Sequence, residues 1–218
     1  MKIQPIAAAV ALAFASGAAN AQAIQQAYNY VEGRVGIADF DVTTGGVELS
    51  SDGFGGGVSL RLPIEGNWFG SFDGYIADTD GSLNGVSYDI EGKEIRAGFG
   101  AANNTLDGKA AVALRVEYVR IDLDLSSPGL GSADETEEGG GVHVRLESIR
   151  TDTRLHPYLE AGYVFLSDSD GPEVTGGIRI RLAPFQTFIE YRYSAINADS
   201  DLVDVDYSRI SVGARFDF

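Results

Sequence analysis

Apolar and polar residues alternate with a period of two through ten segments of this chain, and clusters of glycine, aspartate and asparagine separate them. That period belongs to a strand, whose successive side chains point to opposite faces. The segments run over about 28–39, 53–64, 68–77, 88–101, 110–121, 141–149, 155–166, 174–182, 185–195 and from 205 to the end. In each, the charged residues keep to one face. Val142, Val144 and Leu146 alternate with His143, Arg145 and Glu147, and Ile178, Ile180 and Leu182 with Arg179 and Arg181. A soluble barrel would turn its apolar residues inward and would have no need to keep charges off the other face. Apolar-out, charged-in strands of ~9–11 residues predict an all-β fold, a transmembrane antiparallel up-and-down β-barrel. Ten strands are expected. Eight, with one hairpin outside the barrel, is the alternative.

The two ends of the chain add to this reading. Lys2 precedes an apolar run from Ile6 to Ala15, followed by the overlapping Ala-x-Ala sites 19–21 and 21–23. This predicts a secretory signal peptide over 1–23, cleaved after Ala23, and a barrel domain over 24–218. No later segment approaches the ~20 apolar residues of a membrane helix, so an exported chain that enters a membrane must cross it as a closed barrel. At the other end, Ile210, Val212, Ala214, Phe216 and Phe218 alternate with Arg209, Ser211, Gly213, Arg215 and Asp217. The half-buried strand so predicted ends on an aromatic residue.

Composition narrows the chemistry. The chain has no cysteine, hence no disulfide framework and no thiol chemistry. Its 28 glycines, 10 tyrosines and 11 phenylalanines suit tightly packed strands with aromatic rings at both membrane interfaces. A net charge of −16 argues against binding nucleic acid through backbone phosphates.

The charge is unevenly placed. The connections after segments two, four, six and eight are short, and most of the others are longer, so five outer loops are expected over 39–52, 78–91, 122–138, 167–173 and 197–206. They hold 21 of the 32 acidic residues and none of the 16 lysines and arginines. Asp-x-Asp recurs in them, as Asp39/Asp41, Asp78/Asp80, Asp122/Asp124, Asp168/Asp170 and Asp199/Asp201, with Asp204/Asp206 opening the last descent. Two copies run on into glycine, which makes Asp78, Asp80, Asp168 and Asp170 weak candidates for Ca²⁺ or Mg²⁺. A full calcium loop also needs further oxygens and a bidentate glutamate at fixed spacing, and these are missing. The plainer reading is a solvated anionic rim without a cofactor.

Parity places a second set of charges in the lumen. Arg34, Arg61, Arg96, Arg115, Arg145, Arg179, Arg181, Arg192, Arg209 and Arg215 face Glu32, Asp73, Glu94, Glu117, Glu147, Glu160, Glu190 and Asp217. Charges inside a narrow barrel must be paired or hydrated. Barrels of ~8 strands leave room only for side chains, while open aqueous channels need ~16–18. A packed ion-pair lumen and a constricted charged pore are therefore the two alternatives. Arginine at the lumen-facing Ser59 or Ser71 is expected to be milder than at the lipid-facing Val144, Leu114 or Ile180. His143 points inward beside Arg145 and Glu147 with no evident nucleophile, and His156 lies next to Pro157 at a turn. No enzymatic constellation emerges.

Tyr28-Asn29-Tyr30-Val31-Glu32-Gly33, Ile189-Glu190-Tyr191-Arg192-Tyr193 and Ser211–Phe218 resemble segments of the small outer-membrane β-barrels of Gram-negative bacteria, the OmpA/OmpX-like superfamily. The resemblance implies residence in the cell outer membrane, both termini periplasmic, and contact with outer-membrane lipid and lipopolysaccharide. It implies that Gly213, Phe216 and Phe218 form an assembly signal read by the barrel-assembly machinery, with periplasmic chaperones as partners during biogenesis. The barrel-type lipid A deacylases of the outer membrane carry a histidine after a late aromatic stretch, and the comparable stretch Tyr191–Asn197 has none. The superfamily spans anchors, adhesins and small channels, so a structural, surface-interacting barrel and a narrow porin-like channel both remain open. Nothing in the sequence sets the oligomeric state.

Overall fold

The computed structural model describes residues 27–44, 47–105, 108–128, 131–150, 152–198 and 203–218. The expected signal peptide and the Asp199/Asp201 pair lie outside them. The ten strands are β1 (Tyr30–Thr44), β2 (Val47–Pro63), β3 (Trp68–Leu83), β4 (Val86–Asn104), β5 (Ala110–Ser127), β6 (Gly131–Ser148), β7 (Leu155–Leu166), β8 (Ser169–Leu182), β9 (Phe185–Ala198) and β10 (Val203–Asp217). Each pairs antiparallel with its neighbour in sequence, and β10 closes on β1, from Tyr30↔Asp217 to Thr44↔Val203. All ten strands form one closed wall, which excludes the eight-strand alternative.

The strands exceed what a bilayer needs. β4 has 19 residues and β5 and β6 have 18 each, against ~9–11 for a tilted crossing. This corrects the expected outer loops. Residues 39–44 continue β1, 47–52 begin β2, 78–83 end β3 and 122–127 end β5. The connections at that end are only 45–46, 84–85, 128–130, 167–168 and 199–202. Asn84 and Gly85, with φ of 52° and 82°, make one two-residue hairpin turn of the kind their left-handed backbone favours. The acidic composition of these stretches imitates a loop, yet the alternation runs through them with its phase inverted. At Ile37-Ala38 on β1 and Ile76-Ala77 on β3 two apolar residues are adjacent. Below each junction the apolar residues face outward, as Ile37 and Ile76 do. Above it they face inward, as Phe40 and Ala77 do.

The outer wall near the chain ends is an apolar girdle. Val31, Val35, Val58, Phe72, Ile95, Val144, Ile180, Ile189 and Val212 are all exposed. Trp68 with Phe99, at 6.4 Å, and Phe185 with Phe216, at 6.0 Å, form ring pairs toward the end where β1 begins and β10 finishes. So large a continuous apolar surface is foreign to a soluble monomer. Phe216 and Phe218 lie on it, while Phe218 N donates to Asn29 O at 3.2 Å and Asn29 Nδ2 donates to Phe218 O. Gly213 has a steric reason. A Cβ there would meet the carbonyl oxygen of Gly33 at 2.2 Å and the Phe188 ring at 2.4 Å.

Candidate functional site: a sealed lumen beneath an acidic collar

The inward residues of the girdle segment form a network in which single carboxylates each hold several cations. Glu173 is its most connected member. Arg96 donates two bonds of 2.7 Å to it, and Arg192 Nη2 (2.6 Å), His143 Nε2 (2.7 Å) and Ser194 Oγ (2.7 Å) join them. Arg96 also reaches Glu117 at 2.8 Å and Glu94 at 2.9 Å, and Arg192 meets Glu94 at 2.9 Å. Space is made for the histidine by Gly162, where a Cβ would lie 2.0 Å from the His143 ring.

A second hub is Asp73, bound by Arg61 at 2.9 Å, Arg115 at 3.2 Å, Arg34 at 3.6 Å and the Ser59 hydroxyl at 2.6 Å. Arg115 goes on to Glu160 at 3.0 Å, and Arg34 to Glu32 at 3.3 Å and Glu190 at 3.0 Å. Glu190 also accepts the Tyr158 hydroxyl at 2.7 Å and stands 3.7 Å from Arg209, whose guanidinium covers the Tyr75 ring. The third hub, Glu147, pairs with Arg179, with Arg145 at 3.0 Å and with Arg215 at 3.9 Å, and Arg215 also holds Asp217 at 2.6 Å. Arg145 and Arg179 lie over the Tyr158 ring and Arg215 over the Tyr30 ring. Below the hubs, Tyr28 stacks on Phe69 at 4.5 Å beside Ala102 and Ala113, an apolar plug at the end where β1 begins and β10 finishes.

Removing so many charges from water is tolerable only where each is paired, and a buried pair that loses one partner is strongly destabilised. The interlocking of the hubs meets that condition. Seventeen of the eighteen lumen charges read from parity, from Glu32 and Arg34 to Arg215 and Asp217, take part. Arg181 does not: it is exposed at the mouth beside the chain ends, where β8 leaves the wall. Ser59 is corrected too. It is 2% exposed and its hydroxyl bridges Arg34 and Asp73, so it offers no room for a larger side chain.

Sequence reasoning missed Glu173 by assigning it to an outer loop. The signal was there, since Glu173 shares the inward parity of Thr175 and Arg179 while Pro172 and Val174 face outward. The proline and the neighbouring Asp-x-Asp-Gly disguised it as a turn.

Above the hubs the lumen turns apolar. Phe40, Tyr75, Ala77, Tyr88, Ile90 and Tyr207 pack there, with Phe40 and Tyr207 rings 4.6 Å apart. The outer wall at this level is an acidic collar. Asp39, Asp52, Asp80 and Asp89 stand directly opposite one another on β1 to β4. Asp78, Glu91, Asp124 and Asp134 do the same on β3 to β6. Among the described residues, cations border this collar from below. Lys93 pairs with Glu91 and lies 3.3 Å from Asp124, and Arg120 bonds Asp122 and Glu138 at 3.0 Å each. Hydrogen bonds from Arg120 and Thr136 hold the Asp122 carboxyl below its ordinary range. Asp168 is exposed at the β7–β8 turn, and the Tyr163 side chain hydrogen-bonds Asp170. Among the described residues no three His, Cys, Asp or Glu side chains converge on a common point for a metal.

A closed antiparallel barrel with an apolar girdle and a charged, packed interior defines a transmembrane β-barrel of the outer-membrane class. In fold the chain is similar to the outer-membrane protease OmpT of Escherichia coli, with a TM-score of 0.63, 6% identity and coverage of 88% of this chain and 97% of that one. It is also similar to the translocator domain of the autotransporter NalP of Neisseria meningitidis, with a TM-score of 0.50, 13% identity and coverage of 91% and 94%. Ail, the attachment invasion locus protein of Yersinia pestis, aligns with a TM-score of 0.40, 15% identity and coverage of 86% and 99%. No family model and no curated relative matches the chain. At these identities the likeness to OmpT and NalP shows the fold alone, and the apolar girdle makes this fold a membrane-spanning β-barrel of the outer-membrane class. Fold alone does not carry an activity.

Proposed function

We propose that this protein is a sealed, structural barrel that presents an acidic, water-exposed collar for surface interactions, rather than a channel or an enzyme. The observation that carries the reading is the cross-linking of opposite walls. Glu173 on β8 binds Arg96 on β4, and Arg192 on β9 binds Glu94 on β4, so side chains bridge the bore at girdle level. Both histidines are buried, His143 within the network and His156 near the terminal mouth, away from the surface that meets other molecules.

In this reading both termini and the 183–184 and 64–67 turns are periplasmic, and the collar stands outside the cell. The collar would then lie beside the lipopolysaccharide headgroups. Ca²⁺ or Mg²⁺ would act between protein carboxylates and lipid phosphates instead of in a chelating loop. Gly213, Phe216 and Phe218 would serve the barrel-assembly machinery after chaperone-assisted transit of the periplasm.

Single-channel recording on the refolded protein in planar bilayers tests the reading. A sealed barrel gives no unitary conductance in 1 M KCl. Reproducible steps that change size when Glu173 is replaced by Gln would establish the narrow channel instead.

A further inference from the structure

We infer that the upper lumen is a blind cup that binds a small organic cation with an apolar body, captured from the outside. The cup is a small cavity, open at its mouth, with about 60 Å³ of space accessible to a water-sized molecule. Its walls are Phe40, Leu123, Leu166, Ile196, Val205 and Tyr207. Its floor is the top of the ion-pair network, where Glu94 and Glu173 are already held by Arg96 and Arg192. A ligand therefore enters and leaves by the same opening.

The charge of the ligand follows from the β6 wall. Glu135 and Glu137 have the inward parity of His143 and line the cup, while Asp134, Thr136 and Glu138 face away. Glu137 accepts the Ser169 hydroxyl at 2.6 Å, and among the described residues neither glutamate has an ion-pair partner. Lys93 touches the cup, but its ammonium is committed to Glu91 and Asp124 on the outer face. An apolar well with two unneutralised carboxylates above it, and with the Phe40 and Tyr207 rings inside, complements an ammonium on an aromatic or alkyl body. Ring faces attract such a cation directly. An anion meets repulsion from both glutamates. Adding a ligand class to the surface-interaction reading, the inference rests on it for the side from which the cup opens.

The test is calorimetric titration of the mature chain in zwitterionic-lipid nanodiscs with 4-phenylbutylamine, 4-phenylbutan-1-ol and 4-phenylbutyrate, which share a body and differ in charge. The amine should bind one to one, at least tenfold more tightly than the alcohol, and the carboxylate should not bind. The double change Glu135→Gln, Glu137→Gln should bring the amine down to the level of the alcohol. Ile196→Trp should fill the well and abolish binding of both, and the double change Asp39→Asn, Asp52→Asn on the outer collar should leave the amine unaffected. Heat-modifiable mobility verifies that each variant is folded. If Ile196→Trp does not fold, Val205→Phe takes its place, and the two glutamine changes are at solvent-accessible positions. Equal affinity for amine and alcohol, equal loss in the collar variant, or no saturable binding would overturn the inference. Conductance in the planar bilayer fails the sealed-barrel reading alone, since binding in the cup is measured without it.

Discussion

The two halves of this barrel are built inside out with respect to each other, from the same ten strands. At girdle level Val31, Val35 and Ile37 face outward while Glu32 and Arg34 face the lumen. Two to four residues after Ile37 on β1, Phe40 faces the lumen and Asp39 and Asp41 face outward. The difference teaches that the surroundings of the wall set which side is apolar. Lipid outside demands an apolar exterior and drives the charges into a lumen where each must find a partner. Water outside restores the order of a soluble protein, with rings in the core and carboxylates on the surface. The two regions should therefore answer identical substitutions differently.

The largest contrast should come from removing a carboxylate in each half. Glu173→Ala leaves Arg96, Arg192 and His143 without their common partner in a closed lumen. Breaking a buried ion pair in this way costs ~3–5 kcal/mol. Glu135→Ala, in the upper half and exposed, should stay within about 0.5 kcal/mol. Urea unfolding in lipid vesicles measures both. A Glu173→Ala barrel as stable as wild type would mean that water fills the lumen and that the network does not seal it.

Arginine on the outer wall is the next largest probe. Ile37→Arg places a guanidinium on the girdle, where the cost is ~2–4 kcal/mol at the bilayer midplane and less toward the interface. Asp39→Arg, two residues along the same face, enters the acidic collar and should be neutral or stabilising. Val144→Arg and Ile180→Arg should follow Ile37. If Asp39→Arg is as damaging as Ile37→Arg in the same vesicle assay, the girdle extends further than the phase inversion indicates.

Much of the lower half was legible in the sequence, because lipid leaves one solution. Apolar-out alternation with charges on the other parity located the strands, and parity alone chose the residues of the network. What parity could not supply was partner choice. The pairing of Glu173 with Arg96 across the bore depends on strand tilt and register, and these have no local signature. The upper half was misread for a different reason. Its strands keep their period of two, but dense acidic residues and the Asp-x-Asp repeats resemble solvated loops. Adjacent apolar pairs, Ile37-Ala38, Ile76-Ala77 and Tyr118-Val119, mark where the wall continues with its faces exchanged. The cup lies inside that misread half, so its walls were invisible as a set.

A smaller effect concerns closure at the end where β1 begins and β10 finishes. Deleting Phe218 removes one exposed ring and two hydrogen bonds with Asn29, one between backbones and one donated by the Asn29 side chain. Thermodynamic stability should fall by about 1 kcal/mol, the net worth of a typical hydrogen bond. If the C-terminal residues are read by the assembly machinery, the heat-modifiable fraction in outer membranes should fall much further than stability does. A drop in both by the same factor would assign Phe218 a closing role and no signal.

The smallest effects separate residues within the collar itself. Asp52 stands directly between Asp39 and Asp80 on neighbouring strands, and like charges directly opposite each other destabilise by ~0.2–1 kcal/mol. Asp52→Asn should therefore stabilise the barrel slightly. Asp122 has the opposite surroundings. Arg120 and Thr136 donate to it and depress its pKa. A depressed folded value means that the stability it contributes is present above the unfolded carboxyl pKa of ~3.9 and fades as pH falls through the folded value. Asp122→Asn should be mildly destabilising at neutral pH, with the difference from wild type vanishing in strong acid. Salt adds a second axis, because exposed charges are screened over ~8 Å at physiological ionic strength. NaCl should shrink the gain from Asp52→Asn. Millimolar Ca²⁺ should shrink it more than NaCl of equal ionic strength if hard cations gather at the collar. Equal action of the two salts would leave the collar as a repulsive, hydrated surface with no preference for divalent ions.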